Sequence, residues 1–216
     1  GYGARISRTD LATTSEQLGA FPVPLSARAT SLPFDGTGFR ASPYIGFNWQ
    51  FSPQWIAGVE GDAGFAGQTT TRQGFPFSPA FGGFNEGAAD SLKLKTTWDT
   101  SLRGRLGYLL TPAIQGYLTG GVAWQHYEVI STCASEGCVS RNLIPALVEN
   151  STTRVGWTAG GGLETLLSGR WLARGEYRYG DFGTASFTIA RRVTVDTFDV
   201  RLRTHTISFG LAYKFN

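Results

Sequence analysis

The sequence predicts an all-β protein, an eight-stranded antiparallel transmembrane up-and-down β-barrel with short periplasmic turns and long extracellular loops. Three observations predict this fold class. Apolar and polar residues alternate with period two, as on the two faces of a strand. Short and long connections follow one another strictly, and aromatic residues collect near the ends of the alternating segments. No linker interrupts the 216 residues, so we expect a single barrel domain over residues 1–216.

The composition argues against other classes. Charged residues make up only 16% of the chain, below the usual quarter of soluble domains. The net charge of +3 is small and the basic residues do not cluster, so nucleic acid is not an expected partner. No apolar run approaches the ~18 residues of a membrane-spanning helix, and barrel strands never form such a run because they alternate.

The first segment, Gly1–Asp10, is short and begins inside what reads as a strand. We therefore expect that residues precede Gly1 and that the first strand is truncated at its N-terminus. The next segment, Phe39–Phe51, alternates but contains Pro43. Proline cannot donate a hydrogen bond to a ladder, so we expect either a bulge at Pro43 or a strand that begins after it.

The third and fourth segments, Trp55–Gln68 and Leu92–Leu110, alternate most clearly. A helix would scatter their apolar residues around its circumference and is excluded. One face of the fourth segment is free of charge and carries Leu92, Leu94, Thr96, Trp98, Leu102 and Leu106, and the other face carries Lys93, Lys95, Asp99, Arg103 and Arg105.

The later segments follow the same pattern with two irregularities. In Ile114–Val129, the outward face of Ile114, Leu118, Val122 and Trp124 leaves Tyr117, Tyr127 and Val129 facing the other way. The segments beginning at Val155, Trp171 and Ile207 alternate cleanly, but Val200 and Leu202 are out of phase with Ile207. We expect a bulge or the membrane boundary near Thr204.

The connections are of two kinds, as in outer-membrane barrels. The short ones are Ser52-Pro53-Gln54, Thr111-Pro112-Ala113 and Ser168-Gly169-Arg170, and the long ones are roughly Leu11–Gly38, Thr69–Ser91, Ile130–Thr152 and Asp181–Asp196.

Alternation alone does not say which face points inward, because a soluble lipocalin-type barrel would bury the apolar face. The aromatic residues decide for a lipid-facing apolar surface, because they lie beside the short turns or the C-terminus, where an interfacial girdle belongs. This predicted girdle comprises Trp49, Phe51, Trp55, Tyr108, Trp171, Tyr213 and Phe215.

Several motifs resemble small outer-membrane β-barrel porin-family proteins of the OmpA-like barrel superfamily of Gram-negative bacteria. They include Tyr44–Phe51, Gly58–Asp62, Arg103–Tyr108, Gly156–Glu164 and the ending Tyr213-Lys214-Phe215. The resemblance extends from Tyr44 to Phe215 and spares the loops. It implies an outer-membrane location, contact with membrane lipid and lipopolysaccharide, and recognition of the C-terminal strand by the barrel-assembly machinery.

The predicted inner face collects charged residues: Glu60, Asp62, Asp99, Arg103, Arg105, Glu164, Arg174, Glu176 and Arg178. Five carboxylates and four arginines make cross-strand pairing feasible. An eight-stranded barrel is only wide enough for its own side chains, so we expect an ion network that plugs the lumen of a structural or surface-interaction barrel. The alternative is a narrow porin conducting water, ions or small solutes.

Other chemistry has little support. Cys133 and Cys138 could close a disulfide loop in an oxidising compartment or remain free thiols. The aromatic-rich loop Phe75–Phe84 could bind a surface partner or pack over the barrel mouth. We predict no enzyme, no cofactor and no metal site. The nearest acid–base group for a rim enzyme is Asp196, Asp199 and His205.

Overall fold

The fold is described from a computed structural model that describes residues 2–18, 21–22, 32–33, 36–73, 91–132, 147–190 and 194–215. The strands are β1 (Tyr2–Leu18), β2 (Phe21–Pro22), β3 (Leu32–Pro33), β4 (Gly36–Ala41), β5 (Tyr44–Gln50), β6 (Trp55–Gln73), β7 (Ser91–Thr111), β8 (Ile114–Thr132), β9 (Leu147–Ser168), β10 (Trp171–Ala190) and β11 (Thr194–Tyr213). Among these residues, no helix is long and apolar enough to cross a membrane.

The long strands form one antiparallel sheet that closes on itself. From β6 onward, each strand pairs with the one that follows it in the chain, as far as β11. The last strand, β11, then pairs with β1 from Tyr2↔Phe209 to Leu18↔Thr194. β4 joins β1 to β6, and β5 continues β4 along β6. Counting β4 and β5 as one interrupted strand, the wall has eight strands, which confirms the predicted barrel.

The interruption between β4 and β5 lies at Ser42 and Pro43. Pro43 has no N–H to donate, but its carbonyl still accepts a hydrogen bond from Ala63 N–H at 3.3 Å. The register with β6 is the same before and after Pro43, so the predicted bulge is wrong. The predicted alternative, a strand that begins after Pro43, holds for β5, although β4 precedes it. Within the described residues, β5 pairs with β6 and with no other strand.

The short connections all lie at one end of the barrel, here called the turn end, and the opposite end is the loop end. Thr111 Oγ1 accepts hydrogen bonds from Ala113 and Ile114 N–H at 3.3 and 3.0 Å, which closes the β7–β8 turn. Gly169 adopts a positive φ of 58° in the β9–β10 turn, a conformation that glycine permits at little cost. The predicted short turns are confirmed.

At the loop end the strands run further than predicted. β10 continues to Ala190 and β11 begins at Thr194, so the predicted connection Asp181–Asp196 is wrong. β6 likewise reaches Gln73, and β8 reaches Thr132. The backbone ladder continues because antiparallel pairing satisfies its N–H and C=O groups in water as well as in lipid.

The wall between the two ends turns its apolar face outward. Ile45 and Leu118 are 80% and 69% exposed, whereas Glu60 and Arg103 are 3% and 2% exposed. A soluble barrel has the opposite arrangement, so the apolar face meets the surroundings and the charged face fills the interior.

Near the loop end the polarity reverses, and apolar side chains fill the interior. This loop-end core comprises Leu92, Ala123, Tyr127, Val129, Phe182, Ala185, Phe187, Val200 and Leu202, with Leu94 and Val148 packed against it. The predicted shared face of Leu92, Thr96 and Trp98 is therefore wrong, because a register shift between Thr96 and Asp99 changes the phase of β7.

The reversal also explains the phase of β11. The pairing of β11 with both neighbours is unbroken at Thr204, so a bulge there is excluded. Val200 and Leu202 face inward together with Thr204, and the register shift lies on β10 between Asp181 and Thr184. Tyr127 and Val129 face inward, as predicted.

Candidate functional site

The lumen between the turn end and the loop-end core holds a set of buried charges, here called the lumen network. Its members come from the polar phase of β4, β6, β7, β9 and β10, so pleating alone aims them inward. They are Arg40, Glu60, Asp62, Asp99, Arg103, Arg105, Glu164, Arg174, Glu176 and Arg178. Five carboxylates thus face five guanidinium groups, and the set is neutral overall.

Arg103 on β7 is the centre of the lumen network. Its Nη1 donates to Glu176 Oε1 at 2.8 Å and to Thr119 Oγ1 at 3.2 Å, and its Nη2 donates to Glu60 Oε1. These partners lie on β10, β8 and β6, so one side chain connects three strands across the lumen.

Arg174 on β10 binds Glu60 in a bidentate pair. Its Nη1 and Nη2 donate to the two carboxylate oxygens of Glu60 at 2.5 and 2.8 Å. Tyr117 supports this pair: its hydroxyl donates to Glu176 at 3.2 Å, and its ring faces the Arg105 guanidinium at 3.9 Å. Such charge-assisted and cation–π contacts are strongest where water is excluded.

Asp62 on β6 is the second centre. It accepts hydrogen bonds from Arg178 Nη1 at 2.6 Å, from Ser101 Oγ at 2.6 Å and from Arg40 Nη2 at 3.2 Å. Arg40 also binds Asp99, with Nε and Oδ1 3.0 Å apart. Glu164 completes the network by accepting from Arg105 Nη2 at 2.9 Å.

Arg40 is not among the predicted site residues. It alternates in phase with Ser42 on the polar face of the predicted segment Phe39–Phe51, and both side chains are buried. Charge balance is the signal that could have found it, because the predicted set has five carboxylates and four arginines.

Little space is left among these side chains. A cavity bordered by Arg40, Glu60, Arg103 and Arg174 measures about 20 Å³, and one beside Asp99 measures about 10 Å³. A buried water needs at least ~10–15 Å³ by this kind of measure, so these cavities suit one water at most.

The sequence and fold of this chain are similar to those of known proteins. The outer membrane protein beta-barrel domain family matches residues 8–215. The chain belongs to this family. It is a bacterial outer-membrane β-barrel.

Two curated relatives come from Brucella. The 25 kDa outer-membrane immunogenic protein of Brucella abortus is 32% identical over 180 residues, which cover 82% of this chain and 66% of the relative. The 31 kDa outer-membrane immunogenic protein of Brucella melitensis is 29% identical over 187 residues, covering 86% and 70%. The chain thus spans about two thirds of the length of these relatives.

A solved structure with a similar fold is the outer membrane protein OprG from Pseudomonas aeruginosa. The match has a TM-score of 0.52 and 17% identity, and it covers 99% of this chain and 96% of OprG. This likeness supports the fold alone.

In this outer-membrane barrel, exposed aromatic side chains form a belt at the turn end. Trp55 packs edge-to-face on Tyr108, and Trp171 on Tyr213, with ring centroids 5.0 and 5.3 Å apart. Phe215 packs on Tyr213 at 5.4 Å. Trp49 and Phe51, which complete the predicted girdle, lie 6.0 Å apart.

A second belt, absent from the predicted girdle, lies about ten residues further along β6 and β7. Trp55 is followed by Phe65 on β6, and Tyr108 is preceded by Trp98 on β7. Trp98 stacks on His126 at 5.5 Å. The loop-end belt comprises Phe65, Trp98, Trp124, Trp157 and Tyr179. The ten-residue spacing of aromatic residues on β6 and β7 was the sequence signal for it.

The structure describes only some of the remaining predicted features. Cys133, Cys138 and Phe75–Phe84 lie outside the described residues. Asp199 accepts from Ser186 Oγ at 2.6 Å, and the Tyr177 hydroxyl lies 2.8 Å from His205 Nδ1. Across the described ranges, no three His, Cys, Asp or Glu side chains are grouped to hold a metal ion.

Proposed function

We propose that this protein is a non-enzymatic structural or surface-interaction barrel of the outer membrane, whose lumen is plugged by the lumen network. One observation carries the proposal: buried ion pairs fill the lumen, and the two cavities described among them measure about 20 and 10 Å³. A conduit for ions needs a continuous column of water, and these cavities are too small to supply one.

The energetics support a plug. An ion that entered the lumen would have to displace a partner of Arg103 or Asp62, and an uncompensated buried charge costs several kcal/mol. The network is also neutral, with five charges of each sign, so it offers no net field that would draw in cations or anions.

The loop-end core is a second barrier in series with the first. Leu202 and Ala185 are 1% and 0% exposed, and Tyr127 packs edge-to-face on Phe182 at 6.2 Å. A hydrated ion that passed the lumen network would therefore meet packed apolar side chains, which cannot replace its hydration shell.

The proposal is tested by planar-bilayer recording and liposome swelling with the refolded protein. We expect no large, stable channels from the wild type. Arg103→Ala should lower the temperature of unfolding clearly and raise the conductance only slightly. Arg170→Ala, at the exposed β9–β10 turn, is the matched control. Large stable wild-type channels would instead support a narrow porin for water, ions or small solutes.

The proposed partners follow from the location. We propose contact with outer-membrane lipid, including lipopolysaccharide, through the exposed apolar face. We also propose recognition of the C-terminal strand by the barrel-assembly machinery, which is supported by the 80% exposure of Phe215 at the turn end. We propose that a surface partner binds at the loop end.

A further inference from the structure

The outer surface of β10 and β11 changes abruptly just beyond the loop-end belt. From the turn end up to Tyr179 on β10 and His205 on β11, the outward-facing residues include no Asp, Glu, Lys or Arg. The next outward positions are Asp181 on β10 and Arg203 on β11, which lie opposite each other in the backbone register. Arg201 is the following outward position on β11.

The position of Arg203 along the wall matches the edge of a membrane. Ten residues separate Arg203 from Tyr213 in the turn-end belt. At ~3.3 Å per residue and a tilt of about 40°, this separation is about 25 Å along the barrel axis. The lipid-facing band of outer-membrane barrels is about 25 Å tall, so Arg203 lies at the level of the lipid headgroups.

Two guanidinium groups converge here on one carboxylate. Arg201 Nη2 and Arg203 Nε lie 3.6 and 3.5 Å from Asp181 Oδ2, beyond the usual range of an N–H···O hydrogen bond. Asp181 is held instead by its own strand, because it accepts from Gly183 N–H at 2.9 Å and from the Tyr179 hydroxyl at 3.4 Å.

This arrangement leaves donors available for a ligand. The Arg201 and Arg203 side chains are 51% and 31% exposed, although Arg203 Nε itself is buried. The backbone register sets Arg8 opposite Arg203 and Asp10 opposite Arg201. On the β7–β8 side of the barrel, Lys95 and Glu128 form a one-to-one pair at 3.0 Å.

We propose that Arg201 and Arg203 bind a phosphate group on the lipid A part of lipopolysaccharide. Guanidinium groups match phosphate with bidentate hydrogen bonds. Directly below them, Tyr177, Tyr179 and Trp157 give a surface that suits the sugar and acyl parts of the same lipid, which free phosphate would not use. The site deepens the proposed contact with lipopolysaccharide and rests on it, and it requires that the loop end faces outward.

The test compares lipid A binding by the refolded wild type in detergent micelles with that by R201Q/R203Q, using native mass spectrometry. We expect the double variant to bind bisphosphorylated lipid A at least about tenfold more weakly. R170Q/K214Q removes the same two charges at the turn end and should bind like the wild type. The wild type should also bind dephosphorylated lipid A at least about tenfold more weakly.

A second variant keeps the test valid if the double variant does not fold, which a gel-shift on heating would reveal. D181N removes the competing carboxylate charge and should bind bisphosphorylated lipid A several-fold more tightly. Equal binding by R201Q/R203Q and wild type, equal binding of both lipids, or D181N binding no tighter than wild type would overturn the site. Inorganic phosphate that competed at equal concentration would overturn the lipid as its ligand.

Discussion

Arg103 illustrates how a single residue depends on its neighbours in this barrel. It is among the most deeply buried side chains described, and it donates to two carboxylates and one hydroxyl from three other strands. Its Nε and that of Arg105 have no partner among the described residues, so the network already tolerates two unpaired donors. A residue so placed is stabilising only while all its partners remain.

We predict that Arg103→Ala lowers the free energy of unfolding by about 3–5 kcal/mol, because Glu60 and Glu176 would lose a shared buried counter-charge. Urea titration in lipid vesicles measures this change. Arg170→Ala should change the free energy by less than about 0.5 kcal/mol, because its side chain is exposed. Equal effects of the two variants would contradict the central position of Arg103.

Gly162 provides a test of lumen packing. A Cβ atom at this inward position would lie 2.3 Å from the Gly175 carbonyl oxygen and 2.6 Å from the Tyr117 hydroxyl. We expect Gly162→Ala to cost about 1–3 kcal/mol through overpacking. In the outward-facing control Gly104→Ala, the nearest atom is 3.8 Å away, and stability should be almost unchanged in the same titration. If the lumen were loosely packed, Gly162→Ala and Gly104→Ala would change the free energy of unfolding by similar amounts.

At the scale of elements, each of the strands β7, β8, β10 and β11 passes through two environments. Its turn-end part has apolar residues outside and polar residues inside, and its loop-end part has the reverse. Register shifts accompany the change on β7 between Thr96 and Asp99 and on β10 between Asp181 and Thr184. β11 makes the same change in composition alone, from Phe209 outside to Leu202 inside. The loop-end part is thus built like a water-soluble barrel.

This reversal predicts that one substitution has different effects at two outward positions of β6. Val59 lies near the middle of the apolar band, and Thr69 lies beyond the loop-end belt. Val59→Arg should cost about 2–4 kcal/mol, because it moves a charge into lipid. Thr69→Arg should cost less than about 0.5 kcal/mol in water. Urea titrations in vesicles with similar results for both variants would rule out a boundary between them.

The sequence predicts the turn-end half of the barrel well and the loop-end half poorly, for a physical reason. Alternation identifies two faces, but it does not say which solvent each face meets. Leu92 and Val200 are apolar like Leu102, yet they point inward because water surrounds that part of the wall. The nine predicted lumen charges all lie in the lumen, since their strands keep one phase throughout the band.

At the scale of the whole molecule, closure is the main constraint. β1 pairs with both β11 and β4, so the wall is continuous around the barrel over the length of these pairings. A closed wall satisfies the backbone groups that lipid cannot, and it leaves few exposed edges at which SDS could begin to unfold it.

We therefore predict heat-modifiable migration in SDS gels. The unboiled protein should remain folded and migrate apart from the boiled protein, because unfolding a closed, lipid-adapted barrel has a high barrier. A single band that does not shift on boiling would count against the barrel. Arg103→Ala should shift at a lower temperature than the wild type, with Arg170→Ala as the control.

The lumen network also has a consequence for the time course of folding. Several of its partners lie on strands that are not neighbours, β6 and β10: 114 residues separate Glu60 from Arg174, and 116 separate Asp62 from Arg178. Such pairs can form only after the wall has closed, so they are absent from the transition state for closure. Their loss should speed unfolding and leave the folding rate nearly unchanged. The ion pairs therefore determine the lifetime of the folded barrel rather than the rate at which it folds.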